Sequence, residues 1–502
     1  MKIPILSGTR VAVVTAPEDS VVLRPPPPAE TVDEIGAALR DAVRFPLAGE
    51  PLEAFVAPGG TATIVVDHHS LPVPSAQVDP RQEALFAVVD ELERVGIPSQ
   101  RQTLLVAGGL ERRAGRRERE RLGTPELARR FHGRVETHDV EDPALIEIGT
   151  IEGIPLTVNR LLLETDLVVT LTAAETVLHG GPSALLAAGG PVALREAGAQ
   201  SLLEASAARG WDLAVVFERA LSERVPLLGI SLVLDHPRLG GALRGFPHDR
   251  GVAERLVRSP LATAFRALPS PARRQVLRSM PIELKVIAAY AGPPSVAHAE
   301  ALLRAVEARS VQLEGKLDAI CIGIGPTSVH LPRETANPLL AAYLGLGIVM
   351  RLWRDDFPVV DGGTAILVHD FNRRFGHATQ RPYRPFFAGR WTEEDAVRDS
   401  DALAAYRGGR SAHPILPFAD WDACAPALER LGAVLVAGCR DATAARRLGF
   451  VPTHGVGAAL DMARGRAGRA PRIGFVLSPP YFPLQVRNPQ PAAKVPDTLE
   501  GG

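Results

Sequence analysis

TATIVVD, residues 61–67, is a short run of apolar and β-branched residues that stops at an aspartate and a turn. That length and composition predict a buried strand. QTLLVAGG (102–109) and LLLETDLVVTLTA (161–173) predict two more. Between the first two, PRQEALFAVVDELERVGI (80–97) places apolar residues at helical spacing. TPELARRFH predicts a further helix, with Thr124 as its N-cap. Strands alternating with helices predict a parallel, doubly wound α/β sheet. Ligands of such sheets sit beyond the carboxyl ends of the strands. Asp67, Gly108, Gly109 and the loop after Val169 all fall there.

Outward from this core, residues 250–310 read as helical. KLDAICIGIGP, DGGTAILVHDFNRRFGH and LGAVLVAGCRDATAARRLG then read as strands and βα units of a second sheet. The expected layout is an N-terminal α/β domain over 10–250 and a helical connector over 250–310. A C-terminal α/β domain follows over 310–480, then a disordered tail over 485–502. The expected fold is therefore two α/β domains with mostly parallel sheets, joined by a helical segment, with an active-site cleft between them. PPPPAE, near residue 25, predicts exposed polyproline. No repeat of solenoid period occurs.

A chain of 502 residues exceeds one ordinary core. Its formal net charge of -1 offers no bulk attraction to nucleic acid. No apolar run reaches the roughly 18 residues of a membrane span, and the N-terminus lacks a signal-type apolar stretch. Cys321, Cys424 and Cys439 form no C-x-x-C, so free thiols and a cytoplasmic location are expected. The lysines are Lys2, Lys285, Lys316 and Lys494 alone.

VVDHHSLPVPS (65–75) brings Asp67, His68 and His69 together. Imidazoles beside a carboxylate suit manganese, zinc or nickel. The triplet also shares three letters with a metal-dependent phosphoesterase family named for them. That family needs an upstream Asp-x-Asp run, and Asp19, Asp33 and Asp41 do not supply one. A solvated strand end is the plainer reading. GIGP (323–326) lacks the third glycine of a dinucleotide fingerprint and the lysine of a P-loop, so it reads as a tight turn. His369 and His377 allow a two-histidine metal pair on one helix face. Arg373 and Arg374 between them are either carboxylate contacts or solvated. ERRAGRRERERLG (111–123) mixes signs at helical spacing and predicts an exposed, salt-bridged helix.

Two longer stretches carry a family resemblance. VAGGLERRAGRRERERLGTPELARRFHGRVETHDVEDPALIEIGTIEGIPLTVNRLLLETDLVVTL (106–171) contains His138-Asp139, Asp142-Pro143, Gly149, Val158-Asn159-Arg160 and Asp166. GIGPTSVHLPRETANPLLAAYLGLG (323–347) and VVDGGTAILVHDFNRRFGH (359–377) follow in the second half. Together, over roughly residues 10–400, the chain resembles the lactate racemase family that uses a nickel-pincer nucleotide. The resemblance implies hydride transfer from a 2-hydroxy acid to that cofactor and back. Two histidine bases serve opposite faces of the substrate. A lysine tethers the cofactor, a third histidine ligates nickel and an arginine holds the carboxylate.

Carried over residue by residue, the first base position is Leu110. The Thr-Arg pair of the turn after the first strand becomes Ser70 and Leu71. ETVLHGGPSALLAAGG (175–190) places His179 at the second histidine, or at the serine before Gly180-Gly181; in the latter alignment Ser183 stands at the tether. QSLLEASAARGW (200–211) offers no histidine for nickel. The glutamine and lysine of the second-domain helix become Leu340 and Tyr343. Members of a catalytic set act together, so joint losses weigh more than single ones. Two expectations remain. One is a divergent racemase or epimerase of a 2-hydroxy acid, with a nickel-pincer nucleotide and with His179, His68 and His69 as bases. Its cofactor-binding positions would be Asp67, Ser70, Gly108 and Gly109, then Gly180, Gly181 and Ser183. The other is a non-catalytic homologue that binds a small anion or a partner.

Overall fold

The structure, a computed structural model, describes residues 1–56, 59–67, 79–120, 122–325, 336–373, 375, 377–468, 471–478 and 481–487. Six strands form a first sheet in the order Val286–Gly292, Leu227–Leu234, Leu167–Ala173, Ala62–Asp67, Gln102–Ala107, Arg134–Thr137. Every pair is parallel except the outermost, Leu227–Leu234 with Val286–Gly292. The central strands are almost wholly apolar because both faces are covered. Helices Ile35–Arg44 and Pro80–Arg94 cover one face, Pro182–Leu186 and Arg209–Ser222 the other. Asp79 caps Pro80–Arg94 by accepting from the Arg81 amide, and Thr124 caps Pro125–Arg130 by accepting from Leu127 N, which relieves unpaired donors of each first turn.

The second sheet is all parallel: Val451–Thr453, Ala433–Ala437, Val359–Val368, Leu317–Gly323, Ile473–Val476, Val21–Leu23. The mostly parallel, two-sheet α/β fold expected from the sequence is therefore present. No described helix is long and apolar enough to cross a membrane.

The chain crosses between the two bodies more often than its linear order suggests. Val21–Leu23 pairs with Ile473–Val476, and the hairpin Lys2–Ser7/Arg10–Thr15 packs on the second sheet, so residues 10–23 sit with the second body. The expected helical connector holds four described helices, Arg250–Arg258, Pro260–Ala267, Ser270–Arg278 and Pro294–Arg309, with strand between the last two. Val286–Gly292 closes the first sheet. That strand reads VIAAYAG, too poor in β-branched residues to announce itself. Within the expected disordered tail, residues 485–487 lie in the strand Leu484–Arg487, paired with Val311–Glu314 and Trp353–Arg354. Residues 488–502 lie outside the described residues.

Three local expectations change. Pro25 is buried and the Pro26 carbonyl accepts from His248 Nδ1 at 2.7 Å, so the polyproline stretch is partly docked. The arginine run forms a helix only over Arg116–Arg119, while Arg113 reaches back to the Thr137 and His138 carbonyls. His369 and His377 share no helix. His369 is buried and accepts from Phe371 N at 3.1 Å, whereas His377 caps the turn Ala378–Gln380. Arg373 pairs with Asp441; Arg374 lies outside the described residues.

The His-Asp and Asn-Arg portions of the first motif meet in space. His138 Nε2 lies 2.8 Å from the Gly189 carbonyl and Nδ1 lies 3.0 Å from the Asn159 amide nitrogen. A carbonyl only accepts, so Nε2 carries the proton and Nδ1 accepts from Asn159. The ring is neutral, and burial pulls its pKa down to about 4. The unfolded chain therefore binds a second ring proton more readily than the folded one. The neutral ring's contribution is complete above about pH 6.5 and is lost as pH falls to about 4, roughly 3 kcal/mol in all. Urea unfolding between pH 7.5 and 4.5 should show stability falling with acidity, and His138→Gln should flatten that slope. An unchanged slope in the variant would refute the clamp.

Candidate functional site at the facing sheet ends

A cleft of about 790 Å3 opens where the carboxyl ends of the first sheet meet the second body. Asp67 ends one strand, Gly108 and Gly109 follow the next, and a turn bearing His179 and Gly180 follows the third. Ser183 opens the adjacent helix. The opposite wall is a π-helical turn, Tyr343–Ile348, with Arg351 and the helix Leu416–Asp422. Such turns widen a helix and recur at functional sites.

Six of the sequence-derived positions thus share one cleft: Asp67, Gly108, Gly109, His179, Gly180 and Ser183. Gly181 is buried behind that wall. His68, His69, Ser70 and Leu71 lie outside the described residues. Tyr343 faces the cleft, while Leu340 is fully buried.

His298 was invisible to motif reading, yet it underlies the turn. Gly180 and Gly181 have φ of +85° and +50°, which side chains disfavour. A Cβ on Gly180 would come within 2.5 Å of His298 Cε1, and one on Gly181 would strike His298 Cβ. His298 is wholly buried; Nε2 meets the Thr176 carbonyl at 3.0 Å and Nδ1 meets Ser231 Oγ at 3.0 Å. Burial draws its pKa down to about 4, so it too is neutral.

Leu110, at the position where the resemblance places a first base, borders the cleft but is packed on its other sides. Leu110 is 7% exposed and joins an apolar cluster with Tyr406, Ile415 and Leu416 of the second body. Its carbonyl accepts from His413 N at 2.9 Å, and the Gly109 carbonyl accepts from the Tyr406 hydroxyl at 3.3 Å. His413 in turn pairs with Glu141 at 2.9 Å. The Ser183 hydroxyl is engaged as well, donating to the Val177 carbonyl at 3.0 Å.

Charges in and beneath the cleft are mostly matched. Arg81 Nη1 donates to the Asp67 carbonyl at 3.0 Å and Nη2 pairs with Asp79 at 3.0 Å. Burial opposes the Arg81 charge, but Asp79, Asp67 and Glu175 hold its pKa above the ordinary arginine value. Arg195 pairs with Glu393 and Asp422 across the two bodies, and Arg209 pairs with Glu152. Arg351 differs. It donates to the Gly347, Ala423 and Ala199 carbonyls, has no ion pair among the described residues, and leaves Nε without a hydrogen-bond partner. Burial lowers its pKa to about 10, so it stays cationic at neutral pH.

Fold and cleft together define an α/β protein of two mostly parallel sheets with a cavity between their facing ends. Residues 8–179 match the model of the lactate racemase N-terminal domain family. The whole chain is similar in fold to the lactate racemase apoprotein from Thermoanaerobacterium thermosaccharolyticum. The TM-score is 0.60 at 16% identity, covering 97% of this chain and 100% of that one. A structural-genomics protein from Thermotoga maritima gives a TM-score of 0.49 at 12% identity, covering 91% of this chain and 100% of that one. No curated protein matches.

The described residues do not fit the tethered nickel-pincer nucleotide that the family resemblance implies. Ser183, which one of the two alignments places at the tether, has its hydroxyl committed to a backbone carbonyl, and serine has no amine to offer. Among the described lining residues there is no lysine, and His179 is the single histidine. The described residues contain no cluster of three His, Cys, Asp or Glu able to hold a metal ion.

Leu110→Ala should cost about 2–4 kcal/mol by opening a cavity at the seam. Urea unfolding should also show a broadened transition, because that side chain serves both bodies. A loss below about 0.5 kcal/mol would mean that the seam does not depend on it.

Proposed function

We propose that this protein is a lactate-racemase-type scaffold that binds a small monocarboxylate in the interdomain cleft without carrying the tethered nickel-pincer nucleotide. The observation that carries this reading is Arg351, a buried guanidinium on the cleft wall with no carboxylate partner among the described residues. A buried cation is costly unless compensated, and a ligand carboxylate would compensate it. The lining also limits the ligand's charge. Asp67, Glu111, Asp212, Asp420, Asp422 and Glu429 outnumber three guanidiniums, so a second negative charge would meet repulsion. The occupied surroundings of Leu110 and Ser183 support the absence of the family's base and tether.

The second reading, a divergent racemase or epimerase of a 2-hydroxy acid, is favoured by one observation. His179 faces the cleft with Nδ1 3.1 Å from Thr176 Oγ1, an imidazole at the strand end where a base would serve. Nickel content and intact mass after co-expression with cofactor-building enzymes separate the two. No nickel and an unmodified mass are expected; nickel near one per chain would overturn the proposal in favour of the racemase. Calorimetry with D- and L-lactate should then show weak binding that falls about tenfold or more in Arg351→Gln, a change of about 1.4 kcal/mol. Equal affinity in the variant would remove Arg351 from the site.

A further inference from the structure

His179 is the histidine of the described cleft, and His298 lies directly beneath the turn that carries it. Hydrogen-bond directions can be assigned around this buried ring. The Thr176 carbonyl only accepts, so His298 Nε2 carries the proton and donates to it. Nδ1 is then an acceptor, and the Ser231 hydroxyl must donate to it. Ser231 Oγ lies 3.5 Å from Thr172 Oγ1, and Thr172 Oγ1 accepts from Gly181 N at 3.0 Å. The chain of contacts returns to the same turn that it left. Thr172, Thr176 and Gly181 are therefore held from beneath by one neutral imidazole and one hydroxyl.

The turn has little freedom to escape this hold. Gly180 and Gly181 pass so close over the ring that neither has room for a side chain. Thr176 carries both relevant groups: its carbonyl takes the His298 proton while its hydroxyl sits 3.1 Å from His179 Nδ1. Any displacement of His298 moves the Thr176 backbone and so one partner of the His179 ring. The helix bearing His298, Pro294–Arg309, is itself anchored. Glu218 accepts from Ser295 N at 2.9 Å and from its hydroxyl at 3.1 Å. The charged neighbours of His298 are Glu175 and His179. Trp211 lies alongside, with ring centres 6.0 Å apart.

We infer that His298 is the positioning residue of the cleft: through the Thr176 carbonyl it places the Thr176 hydroxyl and so helps fix the orientation of His179, which it never touches by a hydrogen bond of its own. The inference uses the place of His179 on the cleft, as the proposed function does, but not the identity of any ligand. It is tested on the ligand-free full chain, so its failure is distinct from a failure to bind carboxylates.

The experiment is imidazole nitrogen NMR on histidine-labelled protein, with the His179 signals identified by their loss in His179→Asn. His298→Ala should change the His179 tautomer ratio and move its titration midpoint by about half a pH unit or more, roughly threefold in its protonation equilibrium. His298→Gln can still donate to Thr176 and accept from Ser231, so it should restore most of the original behaviour. His138→Gln, which alters an equally buried histidine of the same body, should leave His179 unmoved. An unmoved His179 in His298→Ala, or an equal displacement in His138→Gln, would overturn the assignment. Should His298→Ala not fold, Ser231→Ala removes only the donor to Nδ1; a shift of the same sign supports the assignment, and none overturns it.

Discussion

The backbone carbonyls of Gly109 and Leu110 accept hydrogen bonds from Tyr406 and His413, and this seam dictates how the two sheets face each other. A glycine turn at a strand end would ordinarily offer its polar groups to a ligand. Here they are committed to the other body, and Leu110 fills the space beside them with packed hydrocarbon. Burying those carbonyls without partners would be costly, so the seam closes as a unit or not at all. The contacts between Leu202 and Arg351, and between Ser201 and Trp353, continue the closure on the far side of the cleft. What remains open is the cavity between the seam and the His179 turn.

The charges beneath the cleft follow from the same geometry. Asp67, Glu175 and Asp235 stand at or just beyond the ends of three adjacent strands, and Arg81, Arg309 and Arg238 interleave with them. Like-charged carboxylates at neighbouring strand ends would repel in a poorly solvated layer; the arginines compensate them. Arg351 lies outside this balance, held by carbonyls alone. That asymmetry singles it out as the cation with unmet demand on the cleft wall.

Much of the first sheet was legible because buried parallel strands are written as short apolar runs between helical periodicities. The strands Ala62–Asp67, Gln102–Ala107 and Leu167–Ala173 fall where the sequence places them, and so do the helix Pro80–Arg94 and the Thr124 cap. Val286–Gly292 was not legible, since an edge strand with alanine or glycine at four of its seven positions gains its pairing from its neighbour rather than from its own preferences. Nor was the assignment of Val21–Leu23 to the second sheet, because only long-range pairing decides which edge a three-residue strand joins. In the site, Leu110 and Ser183 could be picked out by position, but not the packing and hydrogen bond that occupy them. His298 and Arg351 carried no motif at all.

The sequence by itself determined the fold class, the strand ends at which a site must lie, and the chemical identity of the groups available there. Composition and periodicity are local properties, and these conclusions need nothing more. Tertiary structure alone decided that Gly180 and Gly181 have a histidine beneath them, that Leu110 belongs to a core shared by both bodies, and that Arg351 on the cleft wall has no acidic partner among the described residues. Each of these depends on residues far apart along the chain being brought within a few ångströms. At that range packing and desolvation, rather than local preference, set what a side chain can do.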